Sequence, residues 1–283
     1  MTSKQIASNT IIRPTLKSVA QAASQLDCDS LLQLQAIVEQ LLTAQATSWE
    51  EPQIESHPES CTTEKPDVEP FLALLKQGAS VWNEWREKNP EVNLDLRGVN
   101  LSGANLQLVN LNGANLERAN LNGADLRGAF LRGANLKQAI LFMADLVLTN
   151  LQGVCLQKAN LQGADLYKAN LTKADLREAS LMQANIRRAK FVEANLEGAY
   201  LVEADFLEAN LMQANLNQAD LQKATLERTN LIEANLEGAN LFAARLFGAN
   251  VCRAKLYQAN IHKANFYGAT LKGAILPDGT IYK

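Results

Sequence analysis

The chain has 283 residues, a formal net charge of −3 at pH 7, 47% hydrophobic residues and 20% charged ones. That balance gives no general attraction for nucleic acid, and no apolar run approaches the roughly 18 residues of a membrane-spanning helix. Cys28, Cys61, Cys155 and Cys252 stand far apart and only His57 and His262 supply imidazoles, so neither a disulfide framework nor a metal site is expected.

In chain order, the start MTSKQIASNTIIRPTLKS lacks the apolar core of a signal peptide, and with the scattered thiols it makes the cytoplasm the expected location. Residues 1–45 are expected to form a small α-helical segment. Leu16, Val19, Ala22 and Leu26, then Leu31, Leu34, Ile37, Val38, Leu41 and Leu42, recur at helical spacing. Asp27, Asp29 and Ser30 between them suit a break and a cap, which gives a hairpin. Residues 46–69 (EEPQIESHPESCTTEKPDVE within them) are acidic and rich in Pro, Ser and Thr, and are read as a disordered tether. Residues 70–90 are expected to hold one capping helix over 70–88, its apolar face made by Phe71, Leu72, Leu75, Val81, Trp82 and Trp85.

Residues 91–283 carry a five-residue repeat without a slip. Every fifth residue from Leu96 to Leu276, 37 positions, is Leu except Ile186, Phe191, Phe206, Val251, Ile261 and Phe266. The residue two before each, from Val99 to Ala274, is Ala except at Val99, Val109, Thr149, Val154 and Thr229. On an α-helix, five residues advance about 140° beyond a full turn, so the leucines would spiral over every face. On one straight strand, five is odd and successive leucines would alternate sides. A bend once per repeat resolves both. Ala and Leu point inward, three residues point outward, and the chain winds into a solenoid whose stacked coils pair as in a parallel sheet. Between Ala and Leu, from Asn100 to Ile275, 25 of 36 residues are Asn or Asp. Those side chains bond backbone groups at corners and can stack as amide ladders between coils. Gly103, Gly113 and Gly123 suit unusual backbone angles beside the corner. The last residues, LPDGTIYK, hold a Pro-Asp-Gly turn and space for a short strand.

The runs ANLNGADLRGAFLRGANL and ANLQLVNLNGANLERANL resemble the pentapeptide-repeat family, A(N/D)LXX, over about two-thirds of the chain. The resemblance implies an all-β solenoid, a right-handed quadrilateral β-helix with four repeats per coil. About 36 repeats then make roughly nine coils, about 43 Å long at 4.8 Å between strands. It further implies a role in protein contact, such as the regulation of heterocyst development by one cyanobacterial member. The alternative it offers is a DNA mimic that modulates DNA gyrase. The mimic is disfavoured here because residues 91–283 hold 20 Lys and Arg against 18 Asp and Glu, and the repeat has no inserted loop.

No constellation for catalysis is legible. Carboxylates lie on outward positions, the thiols have no adjacent histidine, and the glycines recur at the repeat period rather than in a phosphate loop. No catalytic residue, cofactor, metal or small-molecule substrate is expected, and the chain is read as a scaffold rather than an enzyme. Arg187, Arg188 and Lys190, flanked by Glu193 and Glu197, read as a solvated corner and not a nucleic-acid stripe. The informative feature is the residue after each Leu. Early in the rod these are polar; later they include Val192, Val202, Leu207, Met212, Ile232, Phe242, Phe247, Tyr257 and Tyr267. With twenty residues per coil, Val192, Met212, Ile232 and Cys252 stack as one outward apolar column, and Phe247 and Tyr267 on another. Val192, Met212, Ile232, Phe242 and Phe247 are therefore the expected surface for a protein partner. Two other accounts are cover by the N-terminal hairpin and plain strand propensity. A smaller group, Ile140, Phe142, Met143, Val147 and Leu148, breaks the polar pattern near the middle.

Overall fold

A five-residue repeat has five backbone N–H groups to satisfy, and the computed structural model, which describes residues 68–283, places nearly all of them. In the repeat running from Ala114 to Arg118, the Leu116 N–H donates to Asn135 O (2.7 Å) and the Arg118 N–H to Lys137 O (2.9 Å), both one coil ahead. The Asn115 N–H reaches back to Leu94 O (2.8 Å), and the Ala119 N–H closes a turn onto Leu116 O (3.0 Å). The fifth N–H, that of Glu117, has no backbone partner and donates to Asn115 Oδ1 (3.3 Å). The same bond recurs throughout, for example Glu197 N–H to Asn195 Oδ1 and His262 N–H to Asn260 Oδ1, both 3.1 Å. Asn and Asp recur because an apolar residue would orphan that donor.

Parallel bridges join each such residue to the one twenty positions on, from Asp95 with Asn115 through Lys255 with Ile275. The coil is therefore four-sided, and nine coil steps separate Asp95 from Ile275. The reversal at each corner falls on the two residues after Leu, starting two residues beyond the Asn that the sequence suggests for the corner. All 36 residues at the second corner position, from Gly98 to Gly273, have φ between +52° and +74°. The residue before them has negative φ, so these are type II turns. Thirteen of the 36 are Gly and the other 23 are unbranched at Cβ, with no Val, Ile or Thr among them. A left-handed residue costs about 1–2 kcal/mol, and a second branch at Cβ makes the clash worse.

Inside, Ala and Leu are buried from Val109 to Ala259. The exceptions to the pattern fit one another. Phe191 and Phe206 meet edge to face at 6.0 Å. Thr149 and Thr229, standing where Ala recurs, donate their hydroxyls to Leu126 O (2.8 Å) and Phe206 O (2.9 Å).

The first coil is covered by two helices, α1 (Glu69–Leu75) and α2 (Ala79–Lys88). The single helix expected over 70–88 is thus broken. Gly78, at φ +94°, starts α2 from a conformation that a side chain resists. Trp82 is fully buried and packs against Phe71 and Trp85 at 6.4 and 5.5 Å. The hairpin expected within 1–45 and the tether up to residue 67 lie outside the described residues. At the other end, the Pro-Asp-Gly turn carries the chain back so that Ile281 bridges Ile275 antiparallel.

Candidate functional surface

Four corners run the length of the rod, beginning at Arg97/Gly98, Ser102/Gly103, Gln107/Leu108 and Asn112/Gly113 and recurring every twenty residues. Bonds from Lys173 N to Val192 O, Glu193 N to Met212 O, Gln213 N to Ile232 O and Glu233 N to Cys252 O, 2.9–3.0 Å each, hold those four residues in one stack on the fourth corner. Phe242 lies on the second corner and Phe247 on the third. The five residues singled out from sequence therefore occupy three corners and not one patch.

Their exposure is also uneven. Phe247 is 40% exposed and stacks on Tyr267, itself 76% exposed, at 5.8 Å and 11°. Val192, Met212, Ile232 and Phe242 are half-buried. Residues twenty apart sit one above another at strand spacing, so each covers its neighbour's flank. Phe242 stacks on His262 at 5.7 Å, with Lys263 Nζ 5.5 Å from its ring. Both second members of these pairs were visible in the sequence once twenty residues per coil is granted.

Around the apolar column, charges are tied between coils. Glu233 meets Arg253 at 3.0 Å and Gln213 at 2.9 Å, and Lys173 faces Glu193 at 3.8 Å. Arg187 binds Asp205 (2.6 Å), and Arg188 binds Glu208 (2.8 Å) and Tyr167 (3.3 Å). Two of the three basic residues in that group are thus engaged by carboxylates. Hydrogen bonds from Gln213 and then Arg253 hold the Glu233 carboxyl below the usual carboxylate range. The mid-rod group divides: Met143 is 60% exposed beside exposed Phe142 and Ile140, whereas Leu148 is buried. Gly163 makes space for Met143, whose Sδ lies 2.5 Å from where a Cβ would stand.

A concave surface elsewhere has no counterpart in the expectations from sequence. A cavity of about 740 Å³ opens between the start of α2 and the first coil, lined by Leu72, Leu75, Val81, Leu101, Ala104 and Leu106 among others. Among the described residues no group of three His, Cys, Asp or Glu is arranged to hold a metal ion, and no helix is long and apolar enough to cross a membrane.

The profile of the family described as Pentapeptide repeats matches residues 95–133, 104–142, 144–181, 179–218, 209–246 and 239–276. Among solved structures, the chain is similar to HetL, a pentapeptide repeat protein involved in heterocyst differentiation regulation from the cyanobacterium Nostoc sp. strain PCC 7120. The two share 31% identity over 71% of this chain and 98% of that one, with a TM-score of 0.33. It is similar to Rfr23 from the cyanobacterium Cyanothece 51142 at 34% identity, over 36% of this chain and 63% of that one, with a TM-score of 0.31. A third similarity is to QnrB1, a plasmid-mediated fluoroquinolone resistance protein, at 18% identity over 65% and 80% of the two chains, with a TM-score of 0.33. A search of curated proteins returned no match. With its family profile covering most of residues 95–276, the chain belongs to the pentapeptide-repeat family, whose members fold as right-handed quadrilateral β-helices.

Proposed function

We propose that this protein is a non-enzymatic interaction scaffold whose fourth corner, at Val192, Met212 and Ile232, receives a protein partner. Phe242 and Phe247 on the two preceding corners extend that surface. One observation carries the reading: apolar residues occupy a single corner in three successive coils and Cys252 follows them, while the first corner at the same levels stays polar with Arg177, Glu197, Asn217 and Glu237. Strand propensity acts on all four corners alike and gives no reason for that difference. A rigid rod also presents such a column without an ordering cost on its own side.

The test is capture from a lysate of the native organism with wild type and with Met212→Glu/Ile232→Lys, once circular dichroism shows both folded. A partner held by wild type and lost by the variant supports the reading. Equal capture by both removes the contact from this corner, and no partner at all leaves the scaffold reading without support.

A further inference from the structure

The first coil is capped on part of its perimeter only. On the side containing Asn110, α2 replaces the missing coil with side chains. Asn83 Oδ1 accepts from the Asn110 N–H (2.8 Å), Asn83 Nδ2 donates to Leu108 O (2.9 Å), and Trp82 Nε1 donates to Asn110 O (2.8 Å). On the next side, the Asn115 N–H reaches Leu94 O. On the two remaining sides, the N–H groups of Asn100 and Asn105 have no acceptor among the described residues. Both residues are exposed, and Ala104, an inner residue of this coil, is half-exposed where its counterparts at Ala124, Ala144 and Ala164 are buried. The cavity beside α2 lies against these two sides, and Ser80 Oγ, which lines it, is buried without a partner among the described residues. The site combines apolar walls with orphaned donors, the combination that Trp82 and Asn83 resolve on the neighbouring side.

We propose that residues 31–42 of this same chain, LLQLQAIVEQLL, seat in this cavity as a second capping helix. Leu34, Val38 and Leu41 recur at helical spacing and would meet Leu72, Leu101 and Leu106. Gln33, Gln35 and Gln40 carry side-chain amides of the kind that Asn83 already uses on the adjoining edge. The chain outside the described residues ends at Asp67, directly before α1, whose Leu72 and Leu75 line the cavity. Twenty-five residues separate Leu42 from Val68, a coil span of about 25–30 Å, so the segment is held near the cavity at high effective concentration. An extended occupant is disfavoured by the sequence. Residues 1–67 contain no stretch with small and apolar residues at the spacing of two consecutive repeats. The inference is independent of the fourth-corner reading, and it leaves that corner free.

The experiment is hydrogen exchange on the full chain, wild type against Leu34→Lys/Val38→Lys, read at the amides of Asn100 and Asn105. The amides of Ile261 and Leu271 at the far end serve as controls. Occupation slows exchange at Asn100 and Asn105 in wild type by about tenfold or more, the substitutions abolish that slowing, and the controls do not move. Equal exchange at Asn100 and Asn105 in both chains overturns the proposal. Slowing that fades on tenfold dilution overturns it in favour of a segment from a second copy. Neither reading requires the variant's N-terminal residues to fold, because the amides measured belong to the solenoid.

Discussion

The two ends of the rod meet the same difficulty with unlike means. At the first coil, Trp82 and Asn83 supply from side chains two donors and one acceptor that a preceding strand would have supplied. At the last coil, the chain returns as a strand: the Gly273 N–H meets Tyr282 O (2.8 Å) and the Tyr282 N–H meets Ala274 O (2.9 Å). That strand covers one side. The N–H groups of Ile261, Lys263, Phe266, Gly268 and Leu271 have no acceptor among the described residues. Trp82 is fully buried, whereas Ile281 and Tyr282 are exposed. A hydrogen bond kept from water is costly to break, because its partner is left unsatisfied, while one made in water is replaced by solvent. The helical end should therefore carry far more of the molecule's stability than the strand end.

The largest expected effect tests that directly. Trp82→Ala removes a buried indole and its bond to Asn110 O, at a cost of about 3–5 kcal/mol in a urea melt. Tyr282→Ala, at a half-exposed site, should cost less than about 1 kcal/mol. Comparable losses at the two ends would sink the comparison. Next in size is Asn83→Ala, which leaves the Asn110 N–H and Leu108 O without partners for about 1–3 kcal/mol. Hydrogen exchange sharpens this: Asn110 should exchange faster in that variant while Asn115, bonded to Leu94 O, keeps its rate. If Asn115 sped up equally, the cap would act through packing of the whole coil and not through that amide.

How much of this was legible before the structure depends on whether a residue acts within its own repeat or across coils. Ala inside, Leu inside and Asn at the bend follow from the period, because each acts within five residues. The bend itself lies two residues beyond the Asn, on the pair that follows Leu. Asn looks like the corner residue, yet it stands on the straight segment and holds the N–H of the first turn residue. A readable signal would have corrected this: the second residue after Leu is never Val, Ile or Thr, which marks positive φ. Gly78 likewise announces the break between α1 and α2, although the apolar spacing continues across it and hides the break. The half-burial of Val192, Met212 and Ile232 was out of reach. It depends on neighbours twenty residues away, and the twenty came from family resemblance and not from the spacing. The cavity beside α2 was out of reach for a related reason, since it exists only where a cap fails to cover all four sides.

The smallest expected effect carries the comparison into the rod's interior coils, where ladders replace caps. Asp125, Asp145 and Asp165 stack on one side, while the next residue in that column, Asn185, donates its amide to Asp165 Oδ1 (2.9 Å). Burial, with Asp125 and Asp165 on either side, pushes the Asp145 carboxyl above the usual range despite the Val147 N–H and Arg127. Asp125 is half-buried too, but bonds from Arg127 and Gln107 hold it below that range. The signs are opposite. Asp125 contributes stability that is present above the unfolded carboxylate value and lost as pH falls. Asp145 holds its proton longer when folded, so it subtracts stability as pH rises through its raised folded value. Asp145→Asn keeps the acceptor for the Val147 N–H, removes the charge between two others, and places an amide donor beside Asp125. At pH 7 it should raise stability by about 0.5 kcal/mol, kept small because the Asp145 side chain is 39% exposed and partly screened. Near pH 3 the gain should shrink, because wild type then carries the proton itself. Thermal melts of both proteins at the two pH values decide it. A gain that is equal at both would assign the effect to the amide ladder, and a loss at pH 7 would show that Arg127 draws more from Asp145 than its 3.4 Å separation suggests.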